Sequence, residues 1–242
     1  MNVLEFPPVA TLLDLAATGL GALGEVVTSA GAIVLVTLAV RALLIGVGVS
    51  MAKAAQGRRR IHPQLVALQQ RYRGNPQKLQ KATVELYAAE NVSPLAGCLP
   101  VLAQAPVLML VYALFASPTI AGHPNALLGD TLFGAPLGRH LLDVASGFQL
   151  TALVFPVLLA VLTLVAWLNR RFTLRDLPEP SPASAATALP GAAALDPRGP
   201  LSWMPFAVVL AAAVVPLAAT LYLTVSGVWS YAERRILRAI YA

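Results

Sequence analysis

The chain has 242 residues, of which 57% are hydrophobic and 12% charged, with a formal net charge of +6. A soluble domain of this size carries roughly twice that charged fraction, so the composition excludes a water-soluble enzyme and points to a membrane protein with apolar runs near the ~20 residues that cross a bilayer. One cysteine, Cys98, excludes an internal disulfide, and three scattered histidines without HExxH, CxxC, Walker or GxGxxG runs leave no metal, nucleotide or other cofactor expected.

Residues 1–28 have no basic region at their start and do not read as a cleaved signal peptide. Leu4, Leu12, Leu13, Leu15 and Leu20 predict an amphipathic helix after Pro7-Pro8, lying at the interface on the outer side. Residues 29–51, "SAGAIVLVTLAVRALLIGVGVSM", form the first expected membrane helix. Residues 52–93 follow as a basic helical hairpin. Ile61, Leu65, Leu68 and Tyr72 recur at helical spacing, as do Leu79, Ala82, Leu86 and Tyr87. Gly74 ends the first hairpin helix, Asn75 caps the second, and Pro76 takes its first position. A second membrane helix is expected over 94–117, an outer loop over 118–147, and a third membrane helix over 148–168. Residues 169–200, rich in Pro, Ala and Ser, read as a flexible linker.

The last apolar run, 201–229, would measure ~43 Å as one helix. Pro216 lies near its middle and divides it into two short crossings, 201–215 and 216–231, ahead of a basic tail at 232–242. Charge supports that division. Glu5, Asp14 and Glu25 precede the first crossing without any Lys or Arg, whereas Lys53, Arg58, Arg59, Arg60, Arg71, Arg73, Lys78 and Lys81 follow it. The excess of basic residues assigns the N-terminus to the outside and the hairpin to the cytoplasm, and the hairpin at Pro216 returns Arg234, Arg235 and Arg238 to the cytoplasm. The predicted fold class is therefore an all-α polytopic membrane protein. It has five transmembrane helices, a cytoplasmic helical hairpin and a hydrophilic groove open to the cytoplasm.

Arg41 is the residue that most demands explanation. It sits ~15–18 Å from either end of the first expected crossing. A guanidinium at mid-membrane costs at least ~2.5–3.5 kcal/mol. No Asp or Glu occurs in any expected crossing to offset it. Two readings stand side by side. Arg41 is a structural arginine bonded to helix-end carbonyls or to Gln104, or it supplies an electropositive, hydrated site inside the bilayer. Thr37, Gln104, Gln149, Thr220, Tyr222 and Ser226 are polar candidates for the same site, although each alone also reads as helix–helix hydrogen bonding. The basic hairpin suits anionic lipid headgroups or ribosomal RNA, without sequence-specific nucleic-acid reading. A small-solute transporter or channel is the alternative class, and the chain shows neither the internal repeat nor the midplane solute site of one.

The stretch "GNPQKLQKATVELYAAENVSPLAGCLPVLAQAPVLMLVYALF", residues 74–115, resembles the YidC family of membrane protein insertases. Asn75 to Leu79, Pro94 to Pro100, Gln104 and Pro106 match the family pattern, and Ser93 stands where Asn is usual. Arg41 in "LAVRALL" stands where the family places its groove arginine. The resemblance implies a short form without the large extracellular domain, acting as an insertase and chaperone in the bacterial cytoplasmic membrane. It also implies nascent membrane proteins as clients, with the Sec translocon and the ribosome as partners. Arg41 would attract the acidic or polar segment of a client. The last helix departs from the pattern, with Leu223 in place of the usual Trp and Gly227 in place of the usual Asn.

Overall fold

The computed structural model describes residues 7–72, 74–90, 92, 109–110, 113–114, 117, 119–120, 123–141, 153–175 and 199–241. Its long elements are all helices. They fall into two compact units, one built from residues 1–43, 103–169 and 205–231, the other from 44–102, 170–204 and 232–242.

In the first unit, α1 (Pro7–Val27) packs against α2 (Ser29–Leu43). The two helices meet at a bend of 116°. Thr28 makes that corner. It has φ 70°, a left-handed conformation that is costly for a β-branched residue. Two hydrogen bonds hold it: the Thr28 amide donates to the Gly24 carbonyl, and the Thr28 hydroxyl accepts from the Gly31 amide, capping α2. A β-carbon at Gly24 would lie 2.8 Å from the Ser29 hydroxyl, so a larger residue there would displace that hydroxyl.

Between the helices lies a small β-rich segment. Strands β1 (Thr119–Ile120) and β2 (His123–Pro124) pair antiparallel, as do β3 (Thr131–Leu132) and β4 (Ala135–Pro136), with Leu132 opposite Ala135. The two-residue turn of the second hairpin has positive φ at both Phe133 and Gly134, the turn that matches the strands' right-handed twist. Asn125 ties the segment to the chain before it, donating to the Leu114 and Ser117 carbonyls and accepting from the Leu127 amide. Ser29 donates to the Asp130 carboxylate, fastening the hairpin to the start of α2.

Helix α5 (Val154–Arg175) begins in this unit. α6 (Met204–Val214) and α7 (Leu217–Tyr241) are separated at Pro216. The first amides of α7 would be unsatisfied in a free helix. Here Leu217 and Ala218 donate to the carbonyls of Arg139 and Leu137, so the β-segment caps the helix. The core collects where these pieces meet, around Ile33, Leu114, Leu137, Phe155, Leu217 and Tyr222.

The second unit contains α3 (Ile45–Arg71) packed on α4 (Pro76–Ala89). Asn75 caps α4 as the spacing predicts: its side chain accepts from the Lys78 amide at 3.0 Å, and Pro76 takes the first helical position. Ile61 is fully buried in this unit.

The structure corrects the expected fold class. Among the described residues α5 is the one helix long and apolar enough to cross a membrane, or one of two if the bent pair of α1 and α2 counts as a single broken span. Five transmembrane helices are not found among the described residues, so the groove expected between five such helices is not retained. The physical reason is that an apolar run is not a continuous helix. Residues 29–51 are divided at Leu44 between α2 and α3. Residues 201–215 yield the 11 residues of α6, ~16 Å of helix against a ~30 Å hydrocarbon layer. Residues 216–231 are the opening of α7, which runs on through Glu233, Arg234, Arg235 and Arg238. The run at 94–117 lies almost wholly outside the described residues. α5 also continues seven residues past the expected boundary at 168, to Arg175.

Candidate functional site

Arg41 stands in the last turn of α2, where the helix's exposed carbonyls favour a cation. The side chain is half-buried and reaches α7. Nε and Nη2 both donate to the Ser226 hydroxyl oxygen, at 3.0 and 2.6 Å. One edge of the guanidinium fork therefore closes on one buried oxygen. That fixes the plane of the group, which a lysine ammonium could not do.

The other predicted polar residues sort by what their hydroxyls do. Thr37 lies one turn before Arg41, is buried, and donates back to the Ile33 carbonyl at 2.6 Å. Thr224 likewise donates to the Thr220 carbonyl at 2.8 Å. Thr220 is different. Its hydroxyl reaches across the break at Pro216 to the Ala212 carbonyl at 2.7 Å, closer than the Pro216 carbonyl at 3.3 Å. It serves the α6–α7 junction. Tyr222 is buried in the core one turn before Ser226. Of the expected set, the structure thus joins Arg41 to Ser226 and sets Tyr222 on the same stripe of α7. Gln104 and Gln149 lie outside the described residues.

One group in this region was not anticipated. The indole Nε1 of Trp229 is buried and has no acceptor among the described residues. Trp229 follows Ser226 by three residues, so the two share a helix face. A buried donor without a partner is uncommon in a folded protein. The sequence signal was available, a Trp at helical spacing from a predicted site serine. A guanidinium is a hydrogen-bond donor only, and the groups it pairs with best are carboxylates and carbonyls.

The basic residues of the second unit are laid out on α3 and α4. Arg59, Arg60, Arg71, Lys78 and Lys81 are exposed. Arg58 belongs to α3 by its backbone, and Arg73 lies outside the described residues. Arg60 pairs with Glu90 at 2.7 Å, a solvent-facing contact that joins the start of the hairpin to its end and adds little stability. The Arg71 guanidinium lies 5.6 Å from the centre of the Tyr72 ring.

Comparison with known proteins bears on all of these residues. A family described as "60Kd inner membrane protein" matches residues 23–242. A protein of Clostridium perfringens named "Membrane protein insertase YidC" is 38% identical over 129 residues, 53% of this chain and 51% of the relative. A protein of the same name from Oceanobacillus iheyensis is 40% identical over 97 residues, 38% of each chain. One from Burkholderia mallei is 39% identical over 97 residues, 40% of this chain and 17% of the relative. The matched stretch spans about half or less of each of these relatives.

Proposed function

The chain belongs to the 60Kd inner membrane protein family, and from that membership we propose that it is a membrane protein insertase and chaperone of the bacterial cytoplasmic membrane. The observation that carries the proposal is the family match across 23–242, together with relatives that bear the insertase name. Such an activity makes and breaks no covalent bond. Its driving force is the transfer of a client's apolar segment from water into lipid. What a protein must add is a lower barrier for the polar residues attached to that segment.

The Arg41 site suits that task. A charge held in a fixed plane by Ser226 attracts the acidic or polar outer segment of a client without having to reorganise. In this reading Tyr222, Thr37 and Thr220 form the packed wall behind the charge. Their hydroxyls are either spent on backbone carbonyls or set in the core. Gln104 and Gln149 would extend the polar surface.

The basic hairpin meets the partners. Its exposed arginines and lysines are placed to touch anionic lipid headgroups or ribosomal RNA phosphates, both non-specific electrostatic partners. Nascent membrane proteins arrive there, alone or from the Sec translocon. The charge asymmetry supports a cytoplasmic position for 52–93 and 232–242, with the acidic start outside.

Depletion of the protein, followed by an assay for insertion of short-tailed membrane proteins, tests the activity. Insertion should fall on depletion and return with the wild-type chain. Replacing Arg41 by Ala should weaken insertion of clients with acidic outer segments by about tenfold, the worth of one charge-assisted hydrogen bond, and leave neutral clients nearly unchanged. An unchanged client profile removes Arg41 from the mechanism. Unchanged insertion on depletion removes the insertase reading itself.

A further inference from the structure

A second cationic feature, separate from Arg41 and from the hairpin, lies at the end of α5. The apolar part of this helix stops at Leu168, and Asn169, Arg170 and Arg171 follow. Val157, Leu164 and Trp167 are exposed along the apolar part, the surface a hydrocarbon layer would cover. The change from apolar to charged marks the level of the headgroups, and a tryptophan at that level is what an interface selects.

At that level Arg170 is not a loose surface charge. Its Nε donates to the Ser202 hydroxyl at 3.2 Å, and Ser202 is buried. Its guanidinium carbon lies 4.4 Å from the centre of the Trp203 ring, while Trp203 itself is 55% exposed. The turn Pro200–Trp203 thus grips Arg170 by one nitrogen and one face. A guanidinium held in this way keeps its terminal nitrogens, at the edge away from Nε, for a planar two-point contact with a phosphate. The arrangement recurs nearby. Arg235 of α7 stacks on Phe172, two residues further along α5, with its guanidinium carbon 4.2 Å from the ring centre. Residues two apart face different sides of a helix. The end of α5 therefore carries two stacked arginine–aromatic pairs on separate sides.

We propose that Arg170, positioned by Ser202 and Trp203, binds the phosphate of an anionic phospholipid headgroup, and that Arg235 on Phe172 provides a second such contact around the same helix end. The ring of each pair lies against the glycerol and upper acyl chain while the guanidinium takes the phosphate. This site anchors α5 at one depth in the membrane. It rests on membership of a membrane protein family and not on insertase activity.

The test uses the full chain with Trp167 and Trp229 replaced by Phe, so that Trp203 is the sole indole reporter. Its fluorescence is titrated at fixed ionic strength with brominated phosphatidylglycerol or brominated phosphatidylcholine in mixed micelles. The expected result is half-quenching at a roughly tenfold lower mole fraction of phosphatidylglycerol, since a charge-assisted contact is worth about that factor. Replacing Arg170 by Gln should abolish the preference, and replacing it by Lys should leave a reduced one, with the helical circular dichroism unchanged in both. Equal quenching by the two lipids overturns the proposal, as does a preference that survives Arg170→Gln. Relief of phosphatidylglycerol quenching by millimolar inorganic phosphate would make this a free-phosphate site and overturn the lipid assignment. If Arg170→Gln loses its helical signal, Trp203→Leu carries the test through native mass spectrometry. Fewer retained phosphatidylglycerol molecules than in the wild type support the proposal, and an equal number overturns it.

Discussion

At the scale of single residues, the polar groups inside the first unit differ in how much their hydrogen bonds matter. Thr224 bonds a carbonyl that already belongs to the helix ladder, so its hydroxyl is a second donor to a satisfied acceptor. Thr220 bonds the Ala212 carbonyl, which stands in the last turn of α6 where the ladder runs out. Replacing Thr220 by Val keeps the volume and strands that buried carbonyl. The expected loss is about 1–3 kcal/mol of unfolding free energy. Thr224→Val should cost less than ~0.5 kcal/mol, because no acceptor loses its only donor. Denaturant unfolding of both variants in the same detergent decides it, and equal losses would contradict the assignment. Gly227 belongs to this scale as well. A β-carbon there would sit 3.4 Å from Leu162 and 3.8 Å from Val165, ordinary contact distances. A small side chain would therefore fit at Gly227, and nothing in the structure explains its departure from the family pattern.

At the scale of elements, the ends of the helices carry the specificity. Asn75 to Lys78 is a complete N-cap written in four consecutive residues, and it was legible because capping is a local matter. Asn75→Ala should destabilise α4 by about 1 kcal/mol. Hydrogen exchange at the amides of residues 76–89 should accelerate roughly fivefold while exchange in α5 stays constant. The break at Pro216 was legible for the same reason, since proline excludes a continuous helix. What the sequence did not disclose is where the first amides of α7 find acceptors. Arg139 and Leu137, which supply them, lie nearly eighty residues earlier, in a segment that reads from the sequence only as an outer loop. The two-stranded hairpins there are too short for any alternation to register. Thr28 was equally hidden, because a β-branched residue in a left-handed corner runs against local preference and is held only by its neighbours.

At the scale of the whole molecule, the charge distribution and the helix boundaries answer different questions. Hydropathy summed over 29–51 registered a crossing, yet the backbone divides at Leu44 and the two parts belong to separate units. The proposed orientation rests on the charge asymmetry and requires one crossing between the basic hairpin and residues 118–147. It predicts that a cysteine placed at Lys78 is labelled by a water-soluble thiol reagent only from the cytoplasmic side of sealed membranes, and one placed at Phe133 only from outside. The substitutions are made with Cys98→Ser as background. Labelling of both from one side would contradict the charge argument.

The sequence by itself determined the membrane class, the family resemblance, the basic hairpin with its cap, the break at Pro216, and both partners of the Arg41–Ser226 bond as separate candidates. These are properties of composition or of residues within a few positions of each other, which short-range physics fixes. Tertiary structure decided that Arg41 and Ser226 meet 185 residues apart, that Thr37 and Thr220 turn to backbone carbonyls, and that, among the described residues, the apolar runs give fewer long crossing helices than their hydropathy implied. The reason is that hydropathy records what a segment is made of, whereas helix continuity and hydrogen-bond partners depend on which distant groups the folded chain brings within reach.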